Sequence, residues 1–193
     1  MKYYDITQEL FSSNVYPGDK APSFKRVSEI AKGDVCNVTE VEMNAHNGTH
    51  IDAPAHFIKD GDTIEMIPLE KLMGKCTVKS FAGDITAEDI RKLTGHEKLL
   101  FKGKCQITEE ASEILDDCGI HLVGCESQSI AAMEAPMKVH LIILGQKIVI
   151  LEGLDLSHVS DGEYYLFAAP LKLGGSDGAP CRAVLCDCAD TKN

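Results

Sequence analysis

The sequence predicts a single α/β domain built around a mixed β-sheet. Short apolar runs of strand length alternate with short helical segments, most clearly in the second half of the chain. The chain has 193 residues, of which 44% are hydrophobic and 25% are charged, which is ordinary for a globular protein with one core. We therefore expect residues 1–193 to form one domain.

Five runs are predicted to be β-strands because each is short, apolar and bounded by polar or turn-forming residues. They lie at residues 99–102, 121–124, 147–151, 164–168 and 182–186.

Three helices are predicted from their ends, at residues 86–93, 108–119 and 136–145. Thr86 begins a sequence that resembles a capping box, and Thr108 is a good N-cap. Pro136 suits the first turn of a helix. Gly119 and Gly145 are typical of positions where helices end.

The charge and the cysteines exclude several classes of protein. A net charge of −11 with scattered lysines and arginines argues against nucleic acid as a partner. No apolar run is long enough to span a bilayer, and the N-terminus lacks the apolar stretch of a signal peptide, so we expect a cytoplasmic protein. The eight cysteines form no Cys-x-x-Cys pair and are interpreted as buried apolar residues in a reducing compartment.

A cluster of potential metal ligands carries the chemistry of this sequence. Its members all stand at even positions: His46, His50, Asp52 and His56. In an extended segment, alternate side chains share a face, so these four would point the same way, with Gly48 leaving room among them. Gly48 and Pro54 make a helix the weaker interpretation. Imidazole and carboxylate groups bind Zn²⁺ and Mn²⁺, so the pattern predicts a metal site rather than a solvated strand edge.

A second pair of candidates lies farther along the chain. His140 belongs to the third predicted helix, and Glu152 directly follows the apolar run 148–151. α/β folds commonly place functional groups at the ends of buried strands. Taken alone, His140 is equally compatible with a hydrogen-bonded core histidine, and Glu152 with a surface residue at a strand end.

The run from His46 to Phe57 resembles the signature of the cyclase-like amidohydrolase family, which includes bacterial kynurenine formamidase and isatin hydrolase. Similar stretches extend over most of the chain, at residues 5–7, 16–19, 140, 145–154, 169–173, 177–180 and 182–184. The resemblance implies a swivelling β/β/α fold with a barrel-like core and flanking helices. It also implies a homodimer or larger oligomer, such as a tetramer.

The resemblance further implies a site with two divalent ions, zinc or manganese. His46, His50 and Asp52 would bind one ion, and Asp52 would bridge to a second ion held with His140 and Glu152. His56 would be the general acid/base, acting with a water activated by the metals. We expect the Thr49 hydroxyl to bond to local backbone rather than to orient a ligand.

The implied reaction is hydrolysis of an amide-type C–N bond in a small molecule, either an aryl formamide such as N-formylkynurenine or a cyclic amide. Phe57, Tyr16 and Phe11 are candidates to stack on an aromatic substrate. The segment 126–129, Glu-Ser-Gln-Ser, departs from the Ser-x-Asp pattern often found there in the family, and we expect it to border the substrate.

Two alternatives stay open at this point. A nucleophilic hydrolase is disfavoured because no Gly-x-Ser-x-Gly sequence occurs and no cysteine stands out as a nucleophile. A non-catalytic metal-binding protein on the same fold would bind metal without turnover, and it would not need His56.

Overall fold

The structure is a computed structural model that describes residues 1–133 and 135–187. Its strands within these residues are β1 Lys2–Asp5, β2 Ser23–Ser28, β3 Val38–Glu42, β4 His50–Asp52, β5 Met73–Ser80, β6 Gly83–Ile85, β7 Lys98–Lys102, β8 Cys105–Ile107, β9 Leu122–Cys125, β10 Val149–Glu152, β11 Gly162–Phe167, β12 Gly178–Pro180 and β13 Val184–Asp187. The α-helices are α1 Leu69–Leu72, α2 Ala87–Arg91, α3 Glu109–Glu113 and α4 Pro136–Gly145. The same described residues contain three 3-10 helices, at Ile30–Lys32, Pro54–His56 and Ile64–Met66.

The main sheet has nine strands among the described residues, in the order β1-β13-β11-β5-β7-β9-β10-β4-β12. Its central strands β5, β7, β9 and β10 are parallel, whereas the remaining neighbours pair antiparallel. The sheet curls into a half-barrel. The predicted α/β class with a mixed, barrel-like sheet and flanking helices is therefore confirmed.

Both faces of the central strands are buried. Along β7, Leu99 belongs to one hydrophobic cluster and Leu100 to the other. The same alternation separates Ile150 from Leu151 in β10. Helices α2, α3 and α4 cover the face of Leu99 and Ile150, while loops and the outer strands fill the inside of the half-barrel on the other face. Burial on both faces explains why these strands read as continuous apolar runs.

The predicted strands agree with observed ones to within two residues at either end. The run predicted at 147–151 begins later, at Val149, because Lys147 adopts a left-handed φ of 59° that a strand cannot contain.

The predicted helices differ more in length than in position. Helix α4 has the predicted bounds, and Thr86 forms the predicted capping box with Asp89 at the start of α2. The helix predicted at 108–119 ends early, at Glu113, because Ile114 leaves helical dihedral angles (φ −102°, ψ 4°). Turns then continue to Gly119, whose φ is 76°.

Strands β2 and β3 form a separate two-stranded hairpin that contributes nothing to the core. Nearly all its residues are exposed, including the apolar Phe24, Val27, Val38 and Val41. An isolated two-stranded hairpin is only marginally stable in water. The sequence did not reveal this apolar surface.

Most of the described cysteines are buried, as predicted: Cys76, Cys118, Cys125, Cys181 and Cys186. Cys36 is exposed, Cys105 is half-buried, and Cys188 lies outside the described residues. The longest helix in the described part of the chain has ten residues, and none there is long and apolar enough to cross a membrane.

A close backbone approach fixes the start of β4 against the end of β10. Gly153 has a φ of 69°, and a Cβ added there would overlap the Gly48 carbonyl oxygen and lie 2.9 Å from the Gly48 carbonyl carbon. The Thr49 hydroxyl donates a hydrogen bond to the Gly153 carbonyl and accepts one from Gln8 N (2.9 Å). The Thr49 hydroxyl thus bonds to backbone, but the expectation of a local partner is wrong, because Gly153 and Gln8 are distant in sequence. These bonds clamp the two segments that carry His50 and Glu152.

We expect Gly153→Ala to lower the free energy of unfolding by roughly 3–5 kcal/mol, because the new Cβ adds a backbone clash to an unfavourable φ. Gly119→Ala is the matched control. Gly119 has a similar φ of 76° but nothing within 4 Å of its added Cβ. The alanine substitution there should therefore lower the free energy of unfolding by only about 1–2 kcal/mol. Urea unfolding of both variants measures the difference; equal losses would show that the close approach does not constrain the fold.

Candidate metal centre and active site

Strand pairing brings three ionisable side chains together on the helix-covered face of the sheet. In the antiparallel pair β4–β10, His50 lies opposite Glu152, and Asp52 lies opposite Ile150. The Ile150 side chain belongs to the hydrophobic cluster covered by helices α2, α3 and α4. Directly opposite residues in a sheet point to the same face. Ile51, between the two ligand candidates, points into the other cluster. His50, Asp52 and Glu152 are all buried.

The predicted extended segment through residues 46–56 is wrong in part, because only His50–Asp52 is a strand. Gly48 has a left-handed φ of 66°, which turns the chain so that His46 comes from a turn. Pro54 starts a 3-10 helix, and His56 lies at its end. The four side chains nevertheless converge, because these turns fold both ends of the segment toward Asp52.

The Asp52 carboxylate lies at the centre of the cluster. Its Oδ1 is 2.8 Å from His46 Nδ1 and 3.3 Å from His50 Nε2. Its Oδ2 is 3.8 Å from His140 Nε2. Glu152 completes the group, with Oε1 at 3.2 Å from His140 Nε2 and Oε2 at 3.5 Å from His50 Nε2. All five predicted metal ligands therefore meet in one place.

Within residues 1–133 and 135–187, two sets of three side chains have ligand atoms close enough to share one ion: His46, Asp52 and His56; and His50, Asp52 and Glu152. Both sets contain Asp52, the residue that was predicted to bridge two ions. They distribute the histidines differently from the prediction, since His56 lies with His46 and Asp52, and His50 lies with Asp52 and Glu152.

Outer hydrogen bonds orient two of the histidines. His50 Nδ1 is 2.9 Å from the Gly48 carbonyl, and His140 Nδ1 is 2.8 Å from the Pro136 carbonyl. Because a carbonyl only accepts, each Nδ1 carries the proton and each Nε2 faces the carboxylates. Metal-binding histidines characteristically make such outer bonds.

The cluster fits a cation. Asp52 Oδ2 is buried and has no hydrogen-bond partner among the described residues. A buried carboxylate oxygen without a partner is costly unless a charge compensates it. The imidazole nitrogens that face Asp52 and Glu152 offer lone pairs once they lose their protons, so a divalent cation between the rings and the carboxylates would bind both kinds of ligand.

The electrostatics show how strongly the metal-free cluster binds protons. Burial disfavours the charged imidazole of His50, but hydrogen bonds to Asp52 and Glu152 overcome it and raise the pKa of His50 to about 10. Burial also opposes ionisation of Asp52, yet hydrogen bonds from His46 and His50 hold its pKa well below the usual range. A metal that enters this site displaces protons from the histidines.

His56 differs from the other histidines. Burial lowers its pKa, and the partly compensating carboxylates do not reverse that shift. Its ring stacks on His46 with centroids 4.0 Å apart and makes an edge contact with Phe57. A neutral imidazole beside this cluster of candidate metal ligands is able to accept a proton.

A cavity of about 340 Å³ opens onto the cluster. Its walls include His56, Phe57, Tyr16, Gln128 and Ser129. Such a volume suits a small organic molecule. The predicted aromatic walls are thus present for two of the three candidates.

The remaining residues of that prediction lie elsewhere. Phe11 packs against Phe24 of the hairpin and does not line the cavity. In the divergent segment 126–129, only the second half reaches the cavity. The Glu126 carboxylate instead accepts hydrogen bonds from Gly103 N (2.6 Å) and Leu156 N (2.9 Å), so it holds the loop in place.

The sequence interpretation missed Asp177 as a site residue. Asp177 immediately precedes β12, and its Oδ2 is 3.0 Å from His46 Nε2 and 3.1 Å from His56 Nδ1. The segment 177–180 carried a family resemblance, but a single aspartate so far along the chain gives no signal of its own. Only the pairing of β12 with β4 brings it to the histidines.

Comparisons with known proteins agree with this geometry. A kynurenine formamidase of Erythrobacter litoralis (strain HTCC2594) is 31% identical over 206 residues, which cover 98% of this chain and 95% of the relative. A solved structure described as a potential metal-dependent hydrolase with cyclase activity is 32% identical, with a TM-score of 0.83 over 95% of this chain and 96% of the other.

Isatin hydrolase A from Ralstonia solanacearum has a TM-score of 0.80 over 95% of this chain and 91% of the other, but only 20% identity, so it shows the shared fold alone. Residues 4–101, about half of the chain, match the model of the family described as Putative cyclase. The resemblance predicted from residues 46–57 is therefore confirmed, and the chain belongs to the putative cyclase family.

Proposed function

We propose that this chain is a metal-dependent hydrolase that cleaves an amide-type C–N bond in a small molecule. The observation that carries the proposal is the buried Oδ2 of Asp52, which has no hydrogen-bond partner in the described part of the chain. It lies in a cluster of imidazoles and a second carboxylate beside a ligand-sized cavity. The kynurenine formamidase relative and the metal-dependent hydrolase neighbour support the same reaction class.

The metal ligands in this proposal are His46, His50, Asp52, His140 and Glu152. Their shared centre on Asp52 favours two divalent ions, and their nitrogen and oxygen atoms suit zinc or manganese. When bound, such ions supply Lewis acidity, which lowers the pKa of a water and polarises a carbonyl group.

His56 is the proposed general acid/base. It lines the cavity, it lies beside the ligand cluster, and its lowered pKa keeps the imidazole neutral near pH 7. The neutral ring takes a proton from the attacking water and then donates it to the departing nitrogen. Phe57 and Tyr16 line the same cavity and provide apolar surface for an aromatic group.

The proposed substrate is an aryl formamide such as N-formylkynurenine, or a cyclic amide. The name of the formamidase relative supports the first, and the shared fold of isatin hydrolase is compatible with the second. Gln128 and Ser129, from the divergent segment 126–129, form a polar wall of the cavity, and this wall would distinguish an aryl formamide from a cyclic amide.

We also propose a homodimer or tetramer in the cytoplasm. The exposed apolar hairpin supports assembly, because its side chains contact no core of their own. The buried cysteines Cys76, Cys118, Cys125 and Cys181 are free thiols, which supports a reducing compartment.

The first test is hydrolysis of an aryl formamide, isatin and a cyclic imide, with metal analysis of the same sample. We expect turnover on at least one compound, loss of turnover on chelation, and recovery with Zn²⁺ or Mn²⁺. Activity that resists chelation but is blocked by a serine- or cysteine-directed reagent would contradict the proposal. Stoichiometric metal without turnover on this panel or wider amides would favour the non-catalytic alternative.

Two substitutions separate the proposed roles of ligand and acid/base. We expect His56→Ala to keep nearly all bound metal and lose at least about 100-fold in kcat, the scale of one general acid/base. We expect Asp52→Asn to lose at least one ion per chain, because a neutral amide bridges cations poorly. Elemental analysis and steady-state kinetics measure both. Metal loss in His56→Ala, or full metal retention in Asp52→Asn, would contradict this division.

The assembly is tested by light scattering at micromolar concentration. We expect a dimer or larger for the wild type, and a smaller species for the double variant Phe24→Glu with Val41→Glu. These two residues are paired in register on one face of the hairpin, so the change places two charges on the apolar surface. Ser23→Glu, on the opposite face, is the control. A monomeric wild type would contradict the proposed assembly.

A further inference from the structure

Asp177 contacts two imidazoles through a single carboxylate oxygen. Its Oδ2 lies 3.0 Å from His46 Nε2 and 3.1 Å from His56 Nδ1. The two rings are stacked 4.0 Å apart, so one oxygen reaches the near edge of each. The Asp177 side chain is 48% exposed, unlike the buried Asp52.

The backbone on either side of Asp177 is fixed to the ligand segment. The Asp177 carbonyl accepts a hydrogen bond from Ala53 N (2.9 Å), and the next residue, Gly178, lies opposite Asp52 in the β12–β4 pair. A Cβ at Gly178 would lie 2.7 Å from His46 Cε1. The His46 ring therefore occupies the space that a side chain at 178 would need, which holds it against the Asp177 carboxylate.

An ionised carboxylate only accepts hydrogen bonds, so both ring nitrogens that face Asp177 carry their protons. For His46, the proton on Nε2 faces Asp177, while Nδ1 lies 2.8 Å from Asp52 Oδ1 and donates a hydrogen bond to it in the absence of metal. A metal bound at Nδ1 would replace that second proton, and the proton held by Asp177 would remain on Nε2. For His56, the proton is on Nδ1, and the Nε2 lone pair stays available. In His50 and His140, a backbone carbonyl holds the proton on Nδ1 in the same way.

We propose that Asp177 is a positioning residue that sets the tautomers of two histidines at once. It leaves His46 Nδ1 free to bind metal, and it leaves His56 Nε2 free to accept and donate the proton in hydrolysis. This inference rests on the proposed function, since it assigns an atom to each of the roles given there. It links the ligand cluster and the acid/base through one side chain.

The proposal predicts a defined change in Asp177→Asn. An asparagine side chain can turn its amide group toward His56 Nδ1, which favours the opposite tautomer. We expect kcat on an aryl formamide to fall about 10- to 100-fold, as for other outer partners of metal sites, with KM within about twofold. Asp177→Glu keeps an acceptor and should recover most of the lost kcat. Asp161→Asn, which removes an equally charged aspartate bonded to Ser80, should change neither value.

The decisive readout is the tautomer itself, from ¹⁵N NMR of histidine-labelled protein loaded with Zn²⁺. We expect His56 to be protonated at Nδ1 in the wild type and in Asp177→Glu, and at Nε2 in Asp177→Asn. An unchanged His56 tautomer in Asp177→Asn would overturn the proposal. So would equal loss of zinc and activity in Asp177→Asn and Asp177→Glu, because that result describes a structural support only.

The same spectra distinguish this inference from the proposed function. If the wild type binds no zinc and hydrolyses no formamide, the proposed function fails. The His56 tautomer of the metal-free wild type and of Asp177→Asn at pH 8 then still tests Asp177. A tautomer that changes between these two proteins supports its positioning role, and one that does not change overturns it.

Discussion

The structure depends on two carboxylates, Asp52 and Glu152, that are buried in a hydrophobic interior. A buried charge is tolerated only when it is paired and hydrogen-bonded, because the cost of removing it from water is large. Here His46, His50 and His140 surround the pair, and one oxygen of Asp52 still lacks a hydrogen-bond partner among the described residues. That imbalance makes the cluster a site for cations.

The sheet supplies the precision that this cluster needs. Strand β4 lies between β10 and β12, so its register with both neighbours sets which side chains meet. Two glycines permit the close packing: Gly153 accommodates the Gly48 backbone, and Gly178 accommodates the His46 ring. The reacting groups thus stand on rigid strands and short turns. The walls that select a substrate come from loops, including the one that carries Gln128.

The sequence patterns of helix ends and apolar strands predicted those elements of the fold that depend mainly on neighbouring residues. Pro136 and Gly145 bounded α4 because helix ends depend on nearby residues, and the central strands were legible because both their faces are apolar. The extended form of residues 46–56 was wrong because Gly48 and Pro54 turn the chain. Asp177 and the exposed surface around Phe24 were missed, since only tertiary pairing reveals what a distant residue contacts or fails to contact. The family resemblance still identified all five proposed metal ligands, which the fold brings together.

The most direct test of the central claim is anomalous diffraction from crystals of the protein soaked in Zn²⁺ or Mn²⁺. We expect two anomalous peaks that share the Asp52 carboxylate, one beside His46 and one beside Glu152, with the Asp52 Oδ2 atom coordinated. No peak within coordination distance of Asp52, in crystals where the ion is bound elsewhere or absent, would contradict the claim that this buried carboxylate exists to hold metal.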